Sequence, residues 1–455
     1  MEKSLKIKWL VALALPIILY IGLIGFQVEQ TLALYFTVTF TGILLFLLEL
    51  MPNAVSALLL MFAYVAFNLA PLDVVFSGWL AESIWVTVGC LFMCHITQKT
   101  SLMERLVCMI VTCTSGSYLS ILISMVILNL ITILFIPGSM MTLVIVVISY
   151  SVCEELELGR SKAAAGIMLG SLATGYHSLI SFLYVPGYFT MLTDSAKSVM
   201  DVDVNYFIQF KHNWVFIFVI IAEVLIINRV FAPKDFVGVK EKFIKKAAAL
   251  PPTTSVEKRM VVLYIGLAIF LMTSSIHQIP MWFGFIMVTV LFFTPIIGIG
   301  KQEDVSQVNY GLLIFMVACL GIGNVANHLG IGQMIASYVS SFNIEGSTVL
   351  MTYLSFFIAF IMNLFMTPFA ALSSFGGPLA QISLELDASV LPMFYAFYIG
   401  CNTIVFPYET ASFATLYSMG NIELKHFIQY SLIRTAIWIV GIGIVAMTYW
   451  KFIGL

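Results

Sequence analysis

The chain reads as an all-α integral membrane protein, with about 11 transmembrane helices, two re-entrant hairpins and an inverted-topology repeat. Three observations predict this class. The 455 residues are 61% hydrophobic and 10% charged, with mean hydropathy +1.04, a balance that soluble globular domains do not have. Apolar runs long enough to cross a hydrocarbon core of about 30 Å recur along the whole chain. Four prolines, Pro137, Pro186, Pro368 and Pro407, interrupt apolar segments at corresponding places in the two halves.

The elements follow in order. The first apolar run, "WLVALALPIILYIGLIGF", comes after Lys3, Lys6 and Lys8. It is long and no small-residue cleavage site closes it, so it reads as an uncleaved first helix. Spans are expected near 9–26, 32–50, 53–70, 83–98, 163–191, 212–230, 261–279, 282–299, 310–327, 388–422 and 430–449. Regions 117–153 and 345–384 are longer and broken by a proline in the middle. Each reads as a hairpin that enters and leaves on one side, because non-helical backbone at that depth needs protein or a wet cavity around it. The longest charged segment, 234–259, reads as one connecting loop.

The cations give the orientation. With the N-terminus in the cytoplasm and both long regions as hairpins, all but Lys197, Lys211 and Lys451 of the 21 Lys and Arg residues fall on the cytoplasmic side. Arg434 is among those placed inside. Basic residues favour that side, and the count puts the C-terminus outside. The expected location is a plasma or inner membrane. The net charge of −2 says nothing about partners, and nothing in the chain points to nucleic acid.

The halves are related. "WVTVGCLFMCHITQKTSLMERL" (85–106) aligns with "IFMVACLGIGNVANHLGIGQMI" (314–335), and Cys90-Leu91 falls on Cys319-Leu320. A hairpin follows each, with Pro137 opposite Pro368. An interrupted helix follows each hairpin, with Pro186 opposite Pro407. Interrupted segments in matching places of two oppositely oriented halves mark a midplane site in secondary transporters. Proline suits the first turn of a helix, so each of the four is expected to begin a half-helix whose free N–H groups face a gap.

With these elements in place, the chain resembles the divalent anion/sodium symporter family of sodium-dicarboxylate and citrate carriers, within the ion transporter superfamily. The resemblance runs from about residue 30 to 455 and rests on "TVGCLFMCHITQKTSLMERL", the two hairpins, the two interrupted helices and the ending "YSMGNIELKHFIQYSLIRT". It implies a homodimer, a scaffold and a moving transport domain, and elevator-type alternating access. On that pattern residues 1–106 are scaffold helices of repeat 1 and 107–233 the first part of the transport domain. Residues 234–260 form a cytoplasmic loop, 261–335 the scaffold helices of repeat 2, and 336–455 the second part of the transport domain. The motifs themselves are rewritten. Where the family's hairpin tips carry Ser-Asn-Thr, this chain has Pro137-Gly138-Ser139 with Thr142, and Thr367-Pro368-Phe369 with Ser373. Where the interrupted helices carry Thr-Pro-Pro-Asn, it has Val185-Pro186-Gly187 and Pro407-Tyr408-Glu409-Thr410.

The candidate substrate-binding residues are therefore Gly138, Ser139, Thr142, Gly187, Thr367, Ser373, Tyr408 and Thr410, and the candidate ion-coupling residues are Glu409, Asn402, Thr403 and His177. A carboxylate at this depth costs about 2.5–3.5 kcal/mol unless paired, protonated or bound. Three readings of Glu409 stay open. It ligates Na⁺ or carries a proton, it meets a cationic or zwitterionic substrate, or it bonds to free N–H groups at its own half-helix start. His177 titrates in the physiological range when unperturbed or serves as a packing histidine. Asn129 and Asn363 read as helix–helix hydrogen-bonders, and Glu49 and Glu223 as interfacial. Tyr184 and Tyr188 flank the first break and offer hydroxyls. The seven cysteines and six histidines lack metal-ligand spacing, so no metal site and no cofactor is expected beyond Na⁺ or H⁺ as coupling ion. No nucleophile–base set points to an enzyme. The substrate expected is a small, carboxylate-type anion. The alternatives are a cation/proton antiporter working through Glu409, and a non-transporting receptor on the same fold.

Overall fold

A computed structural model describes residues 2–48, 50–112, 116–135, 141–185, 187–233, 236, 239–295, 298–331, 334, 348–364 and 367–455. Glu49, Pro137, Gly138, Ser139 and Pro186 lie outside the described residues, as does the side chain of Tyr408. The described residues form helices and turns, with no strand among them.

Helices occupy every expected span, but few are uniform rods. Among the described residues three are both long and apolar enough to cross a bilayer: Lys6–Gly25, Tyr310–His328 and Leu424–Ile453. A fourth is the pair Tyr206–Asn213 and Phe216–Phe231, bent by 64°. The other apolar helices are shorter among the described residues. Gln30–Phe46, Asn53–Ala66 and Val390–Cys401 are apolar yet shorter.

Among the helices that lie outside the expected spans, two of eleven residues stand out. Val239–Ala249 falls inside the segment read as a loop, and Leu102–Thr112 follows the fourth expected span. The reason is local. "VKEKFIKKAAA" is rich in strong helix formers, and it buries Phe243. Helix Ser255–Met272 then starts at a capping box, with Thr254 Oγ1 accepting from Glu257 N and Glu257 from Thr254 N.

The chain packs as two compact units. One comprises Met1–Ile84, Tyr188–Asp203 and Asn309–Cys401; the other comprises Trp85–Gly187, Val204–Val308 and Asn402–Leu455. In the first unit, helix Tyr310–His328 runs against Asn53–Ala66 and Pro368–Glu385. Backbones approach closely there: a Cβ on Gly376 would run into Leu192 O. Small residues that allow such approach are the usual device for packing helices in lipid. Tyr188 and Phe189 each meet Tyr398 edge to face, and Phe189 also packs at a tilt on Tyr395.

In the second unit, helix Tyr118–Phe135 packs along the π-helical segment Gly170–His177 that continues Lys162–Leu169, and Tyr118 Oη donates to Ala163 O. Asn129 Nδ2 donates to Met125 O and, across the helix pair, to Ser171 O at 3.0 Å. Beyond His177 the regular helix ends, and the next helix starts only at Phe189. The second interruption follows Cys401 and lasts until Ala411.

Candidate functional site: two helix breaks joined by a buried polar network

The second break is buried backbone without helical bonding. Asn402, Thr403, Ile404 and Val405 are all less than 10% exposed, so every N–H and C=O there needs a partner. Pro407 opens a 3-10 turn, Pro407–Glu409, and contributes no N–H. The Glu409 carboxylate reaches back: Oε1 accepts from Val405 N at 3.0 Å and from Phe406 N at 2.6 Å. Thr410 caps the following helix, Oγ1 accepting from Phe413 N at 3.3 Å. The carboxylate thus acts as an internal acceptor for the break, and it is only 3% exposed.

The first break starts from the π-helical turn. Such turns are rare and concentrate at functional sites. Gly187 closes the break with φ +82°, a left-handed conformation that suits glycine. The two breaks meet within the second unit, where His177 Nδ1 and Asn402 Oδ1 are 2.9 Å apart. With Nδ1 donating, Nε2 keeps its lone pair. That nitrogen is buried with no hydrogen-bond partner among the described residues.

Beneath this contact lies an ion pair. Arg434 and Glu223 are 2% and 0% exposed, with Nε and Oε1 at 3.2 Å. Arg434 Nη1 donates to Asn402 O at 2.9 Å and Nη2 to Ser178 Oγ at 3.3 Å, so one guanidinium holds both breaks. Glu223 accepts from Thr174 Oγ1, Ser178 Oγ and Trp438 Nε1. Thr174 Oγ1 also bonds to Tyr430 Oη.

Two expectations are corrected here. Glu223 is not interfacial but fully buried. Arg434, counted among the cytoplasmic-side cations, lies inside helix Leu424–Val445, buried against Trp438. The physical reason is mutual: either charge alone would need water, and paired they do not. The pairing crosses between distant helices, so no single apolar window shows it. The available signal was one Arg and one Glu each lodged in apolar runs, "SLIRTAIWIV" and "IIAEVLII", beside the polar stretch "GSLATGYHSLIS".

The remaining candidates are placed as follows. Thr142 is buried near the start of helix Met141–Glu155, in the same unit as the breaks. Thr403 is buried beside Asn402. Thr367 and Ser373 belong to the other unit. Thr367 caps the helix that Pro368 begins, accepting from Ala370 N at 3.4 Å. Ser373 turns its hydroxyl back to Ala370 O.

A helix broken at depth, with polar side chains gathered at the break, defines a class of membrane carriers for small solutes. Comparison with known proteins narrows that class. A search of curated proteins finds no match. The model of the family CitMHS, described as "Citrate transporter", matches residues 43–400, most of the chain, and the protein belongs to that family. Among solved structures, the YdaH transporter of Alcanivorax borkumensis is similar in fold, with TM-score 0.52 and 13% identity over 84% of this chain and 87% of that one. The resemblance to citrate carriers read from the sequence agrees with that family. The protein is an integral membrane transporter of the secondary type, for an anionic solute.

Proposed function

We propose that the protein carries a small carboxylate of the citrate class across the membrane, coupled to Na⁺ or H⁺, by elevator-type alternating access in a homodimer. The observation that supports this most directly is the meeting of the two breaks through His177 and Asn402, over one buried arginine. Free N–H groups at the start of half-helices attract anions; the Arg434 charge is balanced by Glu223, and the Glu409 carboxylate is engaged by Val405 N and Phe406 N.

The proposed topology keeps about 11 spans, two re-entrant hairpins and the inverted repeat, with the N-terminus cytoplasmic and the C-terminus outside. The backbone contacts of Glu409 favour this symport reading over an antiporter built on that carboxylate.

The test is ligand stabilisation. A bound ligand raises stability by RT ln(1 + [L]/Kd), so citrate and related carboxylates should raise the Tm of the purified protein where inorganic sulfate and neutral amino acids do not. Repeating the screen with and without Na⁺ at two pH values identifies the coupling ion. A screen in which no carboxylate stabilises the protein under any of these conditions overturns the proposal.

A further inference from the structure

The second unit contains a cavity of about 510 Å³ beside helix Met141–Glu155. Val144, Val147, Ile148, Ser151 and Val152 line it from that helix, at the spacing of a single helical face. The stripe covers about 12 Å of helix rise, most of the depth of one hydrocarbon leaflet, about 15 Å. Met103 and Cys108 of helix Leu102–Thr112 and Phe243 of helix Val239–Ala249 supply further walls. The hydroxyls at its edge donate within the protein: Thr97 Oγ1 to Met93 O, Thr100 Oγ1 to Thr97 O and Ser151 Oγ to Val147 O. Met103 also lines a second, smaller cavity of about 110 Å³, whose walls are mainly apolar and include Leu106, Ile131, Val261 and Ile265.

Two opposite charges line the larger cavity, Lys246 and Glu104. Lys246 Nζ stands 3.8 Å from Glu155 Oε2, beyond hydrogen-bond length. Glu104 is exposed and forms no ion pair among the described residues, with Lys246 or with any other cation. Both charges nevertheless act on the same wall. Burial pushes the Cys108 thiol up, Lys246 pulls it down and Glu104 pushes it up again. The cavity therefore offers a ligand a long apolar face, one free ammonium and one free carboxylate.

We propose that this cavity seats a zwitterionic phospholipid with a primary ammonium, its phosphate on Lys246 and its ammonium on Glu104. One acyl chain lies along the Val144–Val152 stripe, and the other passes Met103 into the smaller cavity. Charge complementarity selects the headgroup. An anionic headgroup leaves Glu104 opposed, and a choline headgroup has no N–H to donate to that carboxylate. The inference is independent of the transported solute.

Delipidated full-length protein in detergent is titrated with dioleoyl phosphatidylethanolamine, and separately with the phosphatidylcholine and phosphatidylglycerol of the same chains. Bound lipid is read by native mass spectrometry, with Tm measured alongside. The expected result is saturable binding of the ethanolamine lipid with a rise in Tm, and binding of the choline lipid weaker by about tenfold or more. Glu104→Gln should erase that preference, and Lys246→Gln should weaken binding of both lipids. Val147 is more than half exposed, so Val147→Trp should keep the fold by Tm while its ring blocks the cavity and abolishes binding. Absent or equal binding of the three lipids, preference for the glycerol lipid, or displacement of bound lipid by citrate would overturn the proposal. So would a Glu104→Gln protein that still prefers ethanolamine, or a Val147→Trp protein that binds as wild type does.

Discussion

The two broken helices satisfy their backbones with different chemistry. The first has no Asp, Glu, Lys or Arg between Lys162 and Asp194. It unwinds through a π-helical turn and closes on a left-handed glycine. The second keeps ordinary helix up to Cys401 and then uses a carboxylate, Glu409, as the acceptor for two backbone N–H groups. The two breaks therefore carry unequal charge, and the acid of the second is engaged locally. The charge that joins the two breaks, Arg434, comes from a third helix and is balanced by a fourth.

The sharpest way to break this comparison is to remove that joint. Arg434→Met leaves Glu223 buried and unpaired, which should cost about 3–5 kcal/mol. The double variant Arg434→Met with Glu223→Met should recover most of the loss, measured as Tm in detergent. A single variant as stable as wild type would mean that the ion pair does not hold the breaks.

The next effect separates the two breaks from each other. Glu409→Ala strands two backbone donors at the second break and should destabilise by about 1–3 kcal/mol, whereas Glu409→Gln keeps one acceptor oxygen and should lose less. Gly187→Ala forces a side chain into left-handed backbone at the first break, for about 1–2 kcal/mol. If the two alanine variants respond identically to a carboxylate ligand in the same thermal assay, the chemical asymmetry of the breaks has no bearing on binding.

The smallest effect lies outside the membrane-spanning segments and serves as a control. Asp304 bonds to Lys99 and His95 and accepts from Lys301 N. The Lys99 ammonium, chief among these, lowers its pKa from 3.8 to about 2. A folded-state pKa below the unfolded one stabilises at higher pH, so this contribution is complete above pH 4 and fades as pH falls towards 2. Asp304→Asn should flatten the acid limb of Tm against pH over that window and leave ligand-induced shifts intact.

Much of the fold was legible in the sequence because lipid imposes length and apolarity on each crossing helix. The interruptions near Pro186 and Pro407 were legible for the same reason, since proline cannot continue a ladder it does not donate to. His177 and Asn402 were legible as candidates, but their contact was not. The Arg434–Glu223 pair was misread because charge in a helix is normally assigned by its nearest end, and burial depends on a partner far along the chain. Helix Val239–Ala249 was hidden by its own charge, which resembles a loop until Phe243 is seen to be buried.

The most direct test of the account is uptake of labelled citrate into proteoliposomes, comparing wild type with Asn402→Leu. This substitution removes the His177 contact from the side chain and leaves the Arg434 bond to the Asn402 carbonyl in place. The account predicts saturable, gradient-driven uptake by wild type and at least about a tenfold loss in the variant at equal reconstitution and near-equal Tm. Wild-type vesicles that accumulate no citrate under either a Na⁺ or a pH gradient, or a variant that transports as well as wild type, would contradict it.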